Sequence, residues 1–152
     1  MNERLRIRPA GVEDADPIAR LFLASKATLT FLPNVHTNEE TFSFIASIVL
    51  RDQDVLVAET NGEISGFLAI HGDMVEHLYV RPDLLRRGIG SALLHQAKER
   101  LPSGFRLWVF QQNAPARRFY ERHGLRLVRE TDGSRNEERT PDALYEWIPA
   151  DP

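Results

Sequence analysis

Arg86-Arg87-Gly88-Ile89-Gly90-Ser91 is the stretch whose residue types and spacing most clearly offer chemistry. Two arginines lead into two glycines placed two apart, and Ile89, Ala92, Leu93 and Ala97 follow at helical spacing. The first turn of a helix has N–H groups without an intrahelical partner, and the helix dipole adds partial positive charge there. Glycines at that point let an anion approach the backbone, and the arginines add two full charges. The stretch is a candidate phosphate-binding loop. It is a poor Walker loop, because Ser91-Ala92 follows Gly90 where Lys and Ser/Thr are needed. It is a poor dinucleotide fingerprint too. Leu93 stands in place of a third glycine, and Val109-Phe110-Gln111-Gln112 occupies the region where an acid should read the ribose. A nucleotide-dependent oxidoreductase is disfavoured on both counts.

Just upstream, Val75-Glu76-His77-Leu78-Tyr79-Val80 carries a carboxylate and an imidazole side by side. A charge inside a sheet covered on both faces is costly unless it is paired or used. Histidine has the pKa of a base at neutral pH. Strand alternation puts Glu76 and His77 on opposite faces, so they do not share one proton path. Each also has a plain structural reading, as a strand-end carboxylate and a packed histidine.

The elements that must hold these groups follow from periodicity and turn chemistry. Residues 5–8 alternate as a strand, and 12–24 read as a helix with acids near its start. Residues 26–36 are irregular. Thr37-Asn38-Glu39-Glu40 is a capping box opening a helix that carries Phe42, Ile45, Ile48 and Val49. Asn61-Gly62 joins strands 55–60 and 64–71 as a hairpin. Then come a strand at 75–80, the glycine loop, a helix at 88–101 and a strand at 105–110. A helix at 113–123 starts at Asn113 as N-cap and stops at Gly124; strands at 125–129 and 143–148 close the chain. GSRNEERTPD, residues 133–142, reads as a polar turn.

The 152 residues suit a single domain, 1–152, with one sizeable core. The absence of cysteine excludes disulfides, zinc–thiolate sites and a cysteine nucleophile, and no metal is called for. The charged N-terminus is unlike a signal peptide, and the aliphatic run 45–50 is far too short to span a bilayer. The expectation is a cytoplasmic protein that binds no membrane. The net charge of −3 hides a division: residues 81–129 hold eleven Lys/Arg and three Asp/Glu, a net of +8, which leaves −11 for the rest. That split argues against extended nucleic-acid binding, and it fits a small polyanion on one side and a cation on the other.

RRGIGSALL, preceded by VEHLYVRP and followed by NAPARRFYERHGL, resembles the GNAT superfamily of acyl-coenzyme A N-acyltransferases. The loop frame is Leu85-Arg86-Arg87-Gly88-Ile89-Gly90, with Leu85 where Gln or Arg is usual. The later motif, Asn113 to Leu125, is complete apart from Leu125 in place of Phe. The resemblance implies an α/β (α+β) fold. Its mixed, mostly antiparallel sheet would have about seven strands and about four flanking helices, splayed between the fourth and fifth strands. It implies acetyl-coenzyme A as cosubstrate and direct attack on its thioester by a primary amine, carried by a small molecule or a peptide. A homodimer is left open. A non-catalytic coenzyme A-binding or sensing module on the same fold is the alternative.

The resemblance also assigns roles by position. Tyr120 becomes the acid that protonates the leaving thiolate, and Glu76 the base. Leu78, Tyr79 and Val80 meet the coenzyme through their backbone. Arg86, Arg87, Gly88, Ile89, Gly90 and Ser91 hold the pyrophosphate, and Asn113, Ala116 and Phe119 border the coenzyme. One of Arg117, Arg118 and Arg122 could reach its 3′-phosphate. The acceptor falls to residues 26–36, where Phe31 and His36 are the candidate contacts.

Overall fold

Apolar residues that alternate strictly between two faces make a strand buried on both sides, and the two central strands here do so. In the computed structural model, which describes residues 4–150, β2 (Asp54–Thr60) and β3 (Glu63–His71) form an antiparallel hairpin. Val55, Val57, Phe67 and Ala69 face one side, and Leu56, Ala58, Leu68 and Ile70 face the other. Asn61 (φ 53°) and Gly62 (φ 86°) make the turn, both left-handed as such a hairpin requires.

Five further strands, β1 (Leu5–Pro9), β4 (Met74–Val80), β5 (Phe105–Phe110), β6 (Arg126–Thr131) and β7 (Asp142–Trp147), join this hairpin in one seven-stranded sheet, in the order β1-β2-β3-β4-β5-β7-β6. Every neighbouring pair is antiparallel except β4 and β5. Helices α1 (Ala15–Ala27) and α2 (Asn38–Phe44) cover one face. The rod begun by α2 runs on through a π-turn at Ile45–Val49 into α3 (Leu50–Asp52). Helices α4 (Ile89–Arg100) and α5 (Ala114–Arg122) cover the other face. This is the expected fold: a mixed, mostly antiparallel seven-stranded sheet, four helical rods, and a splay between the fourth and fifth strands.

The helix starts follow local chemistry, although α1 begins at Ala15 after a 3-10 turn at Val12–Asp14, not at residue 12, and runs on to Ala27 instead of ending at 24. At α2, Glu40 N–H donates to Thr37 Oγ1 at 3.1 Å and Thr37 N–H donates back to Glu40 Oε1 at 2.9 Å. The entry to α1 is fixed by Asp14, 4% exposed, which accepts from Gly11 N–H and from both terminal nitrogens of Arg8 at 2.7–2.9 Å. The Arg8 guanidinium holds the Asp14 carboxyl below its usual range.

Two features depart from simple periodicity. The π-turn shifts the phase of the α2 rod, so Ile45 and Val49 are fully buried while Ile48 lies 43% exposed. In β4, Ala69 opposes His77 and Ile70 opposes Val75, which leaves Glu76 as the extra residue of a β-bulge. Val75 therefore packs on the α4–α5 side, and His77, only two residues on, packs on the α1 side.

Candidate active site

The bulge sits where the sheet comes apart. β4 and β5 register at Met74–Arg106 alone, and beyond that point the two parallel strands diverge toward their C-terminal ends. Val75–Val80 thus pairs with β3 on one edge and with no strand on the other. Backbone groups on that free edge are available to a ligand. The Val80 carbonyl is already used, accepting from Ser25 Oγ at 3.1 Å. The glycine loop leaves β4, and α5 follows β5, so the starts of both helices flank the open end.

The loop is built more tightly than the glycines alone suggest. Arg86 takes φ 66°, a left-handed conformation that costs a side-chain-bearing residue energy, and Gly88 takes φ 84° as the N-cap of α4. Two left-handed residues in three turn the chain into a concave run of backbone. The first intrahelical bond is Ala92 N–H to Gly88 C=O, so the N–H groups of Ile89, Gly90 and Ser91 have no intrahelical acceptor. A Cβ on Gly88 would meet open space. A Cβ on Gly90 would come within 3.3 Å of the Phe119 ring, so this glycine lets α4 approach α5 closely. Arg86 and Arg87 are exposed. An open, cationic helix start whose N–H groups face away from the helix suits the pyrophosphate of a coenzyme.

Ser91 also ties the two helices. His123 Nδ1–H donates to the Phe119 carbonyl at 2.8 Å, which leaves Nε2 as an acceptor for the Ser91 hydroxyl at 3.0 Å. Asn113 spends its Oδ1 on capping α5, accepting from Ala116 N–H at 3.4 Å. Arg117 is turned away from the loop: its Nε donates to Tyr145 Oη at 2.9 Å, and Tyr145 Oη donates to Glu121 Oε2 at 2.7 Å. Arg118 and Arg122 remain exposed on α5.

Tyr120 lies on α5 at 9% exposure, and its hydroxyl makes no hydrogen bond among the described residues. Burial pushes its phenol well above the usual tyrosine value, and the nearby Tyr79 adds to the shift. The Tyr79 phenol is pushed up to about 12 by burial and by the charge of Glu138. Both hydroxyls hold their protons at neutral pH. His77 is the opposite case. Desolvation, with Lys26 adding to it, lowers its pKa to about 4, and it stays neutral among Phe22, Phe44, Phe67 and Tyr79. Glu76 is exposed on the bulge and makes no hydrogen bond or ion pair among the described residues.

The segment 133–142 is a turn-rich loop between β6 and β7, as read from the sequence, and it also reaches back to residues 26–36. His36 Nε2 meets Glu137 at 2.8 Å and Lys26 Nζ meets Glu138 at 3.9 Å. Glu137, with Glu40 contributing less, raises the His36 pKa. This contact is complete below the ordinary histidine value and is lost as pH rises through the raised one. Phe31 packs edge-on against Phe110, ring centres 6.1 Å apart. Beneath the loop, an open groove of about 730 Å³ runs along Trp108, Phe110, Glu130, Asp132 and Glu138. Helices α1 and α2 do not reach this half of the sheet, and Trp108 is left 43% exposed. Among the described residues no helix is long and apolar enough to cross a membrane, and no cluster of His, Asp and Glu is placed to hold a metal ion.

The profile of the acetyltransferase (GNAT) domain family matches residues 51–126, half of the chain. The peptidyl-lysine N-acetyltransferase YiaC of Escherichia coli K12 is 31% identical over 125 residues, covering 80% of this chain and 84% of that protein. The apo form of YjaB from Escherichia coli superposes with a TM-score of 0.78 at 21% identity, over 97% of this chain and 99% of the other. The coenzyme A complex of the PaiA N-acetyltransferase from Thermoplasma acidophilum does so with a TM-score of 0.74 at 24% identity, over 96% and 99%. The chain belongs to the GNAT family of acetyltransferases. It is an N-acetyltransferase, an enzyme that passes an acyl group to an amine.

Proposed function

We propose that this enzyme acetylates the ε-amine of a lysine side chain displayed on a peptide or protein surface, with acetyl-coenzyme A bound in the gap between β4 and β5. The observation that carries the reading is that gap. It is a parallel pair registered at one position, with a cationic helix start at its open end and a protonated, buried tyrosine on the flanking α5. The open groove beside it, lined by Trp108, Phe110, Glu130, Asp132 and Glu138, suits an extended acceptor better than an enclosed small molecule. The name of YiaC, a peptidyl-lysine N-acetyltransferase, supports the same acceptor class. A cytoplasmic location and a single domain over 1–152 belong to this reading.

When bound, the cosubstrate supplies the thioester as electrophile. The chain supplies the rest. The N–H groups of Ile89, Gly90 and Ser91, with Arg86 and Arg87, hold the pyrophosphate. The free edge of β4 at Leu78–Val80 orients the pantetheine arm, and Ala116 and Phe119 wall it on the α5 side. Tyr120 Oη holds a proton for the departing sulfur. Glu76, solvent-facing on its bulge, takes the proton of the acceptor ammonium directly or through water. Three acceptors test the reading: a peptide with one internal lysine, the same peptide acetylated on that lysine with a free N-terminus, and free lysine. Acetyl transfer confined to the internal ε-amine supports it, and a preference for the N-terminal amine or for the free amino acid overturns it.

A further inference from the structure

Lys26 and Glu138 meet where the end of α1 comes beside the β6–β7 loop, their side chains 27% and 13% exposed. Their 3.9 Å separation is longer than a charge-assisted hydrogen bond, so the pair is loosely held. Lys26 Nζ also stands 5.1 Å from the centre of the Phe22 ring. The Phe22 ring meets Tyr79 at 5.1 Å and His77 at 5.5 Å, and His77 Nε2 is buried there without a hydrogen-bond partner. Glu138 in turn lines the groove with Trp108 and Phe110. The Glu138 carboxylate beside a groove is what an alkylammonium needs, and the chain's own lysine ammonium, stacked on the buried Phe22 ring, occupies it, while Arg129 lies 5.6 Å over the Trp108 ring of the groove.

We propose that Glu138 is the seat for the acceptor's ammonium group and that Lys26 is an internal stand-in which a cationic acceptor displaces. This rests on the ε-amine reading given above. The seat favours an ammonium on an uncharged arm, as in a lysine side chain. It disfavours an amino-acid α-amine, whose own carboxylate would be brought against Glu138. Lys26 is held weakly enough to yield, as partly exposed ion pairs generally are.

The test is steady-state kinetics on a lysine peptide with acetyl-coenzyme A for wild type, Glu138→Gln, Lys26→Gln and the double variant, with Tm recorded for each. Glu138→Gln is expected to raise the peptide KM at least tenfold, with Tm and the acetyl-coenzyme A KM nearly unchanged. Lys26→Gln is expected to lower the peptide KM about two- to fivefold, the size of one weak ion pair. The double variant should behave like Glu138→Gln, because the stand-in matters only while the seat exists. A peptide KM that rises in Lys26→Gln as it does in Glu138→Gln makes the pair a loop clamp and overturns the proposal. An active wild type whose KM is unmoved by Glu138→Gln overturns the seat alone. A wild type that acetylates no amine overturns the acceptor reading and the seat with it.

Discussion

Tyr120 is the residue at which packing and chemistry can be separated most cleanly. Its ring belongs to the core on the α5 side, and its hydroxyl makes no hydrogen bond among the described residues. Tyr120→Phe keeps the ring and removes the proton. If Tyr120 is the acid, kcat should fall about 10²- to 10⁴-fold, the usual range for one general acid. Coenzyme affinity measured by calorimetry should hardly move, and the loss should shrink at low pH, where solvent supplies the proton. Full turnover in this variant with chemistry rate-limiting would make Tyr120 a core aromatic only. Glu76→Gln gives the complementary signature. Glu76 is exposed and unpaired, so the variant should cost under about 0.5 kcal/mol of stability. Its kcat deficit should close as pH climbs toward the free amine value of about 10.4, where the acceptor is already neutral. The sequence offered His77 as a rival base. Its low pKa, buried surroundings and aromatic neighbours make it a structural neutral histidine, which no local sequence pattern distinguishes from a catalytic one.

At the scale of elements, the two glycines of the loop have different work. Gly88 is needed for its left-handed backbone, and Gly90 for the contact of α4 with Phe119. Gly90→Ala sets a tight contact with Phe119 against a helix-propensity gain of about 1 kcal/mol, so its stability should change little, and combining it with Phe119→Leu should favour it further. Gly88→Ala should cost about 1 kcal/mol from backbone strain, and Phe119→Leu should give it no relief. Urea unfolding of the four variants checks both statements. Gly88→Val places a branched side chain at the open mouth of the loop, and coenzyme affinity should fall at least tenfold, about 1.4 kcal/mol. Much of this element was legible beforehand, because a cationic loop, a helix start and an apolar stripe are all local patterns. The same holds for the capping box at Thr37 and the turn at Asn61-Gly62. The bulge at Glu76 and the left-handed Arg86 were not, because each is imposed by the strand and loop packed against it.

Across the whole molecule, what escaped the sequence is long-range. β7 slots between β5 and β6, and the loop before it reaches back to residues 26–36 through His36–Glu137 and Lys26–Glu138. Contacts 101 residues apart, as His36–Glu137 is, leave no periodic trace. The proposed function uses the charge division: it puts the coenzyme on the basic segment 81–129 and the acceptor beside Glu137 and Glu138, which belong to the acidic remainder. Global stability should lean on the one buried carboxylate that fixes the entry to α1. Asp14→Asn should cost about 1–2 kcal/mol near neutral pH, since Arg8 loses one of its two carboxylate partners and keeps Glu59. Because the folded Asp14 pKa is lowered, its contribution is present above the unfolded value of about 3.9 and is lost as pH falls through the folded one. The Tm gap between wild type and Asp14→Asn should therefore close in acid. An enzyme whose β4–β5 gap holds the acyl donor for transfer to a lysine amine must couple loss of the thioester to modification of the peptide. The most direct measurement mixes the wild-type enzyme, acetyl-coenzyme A and a lysine peptide, following free thiol and peptide mass in the same sample. One thiol should be released for each acetyl group found on the lysine. Tight coenzyme binding with neither thiol release nor acetylated peptide, across a panel of amines, would contradict it and leave a coenzyme-binding module on this fold.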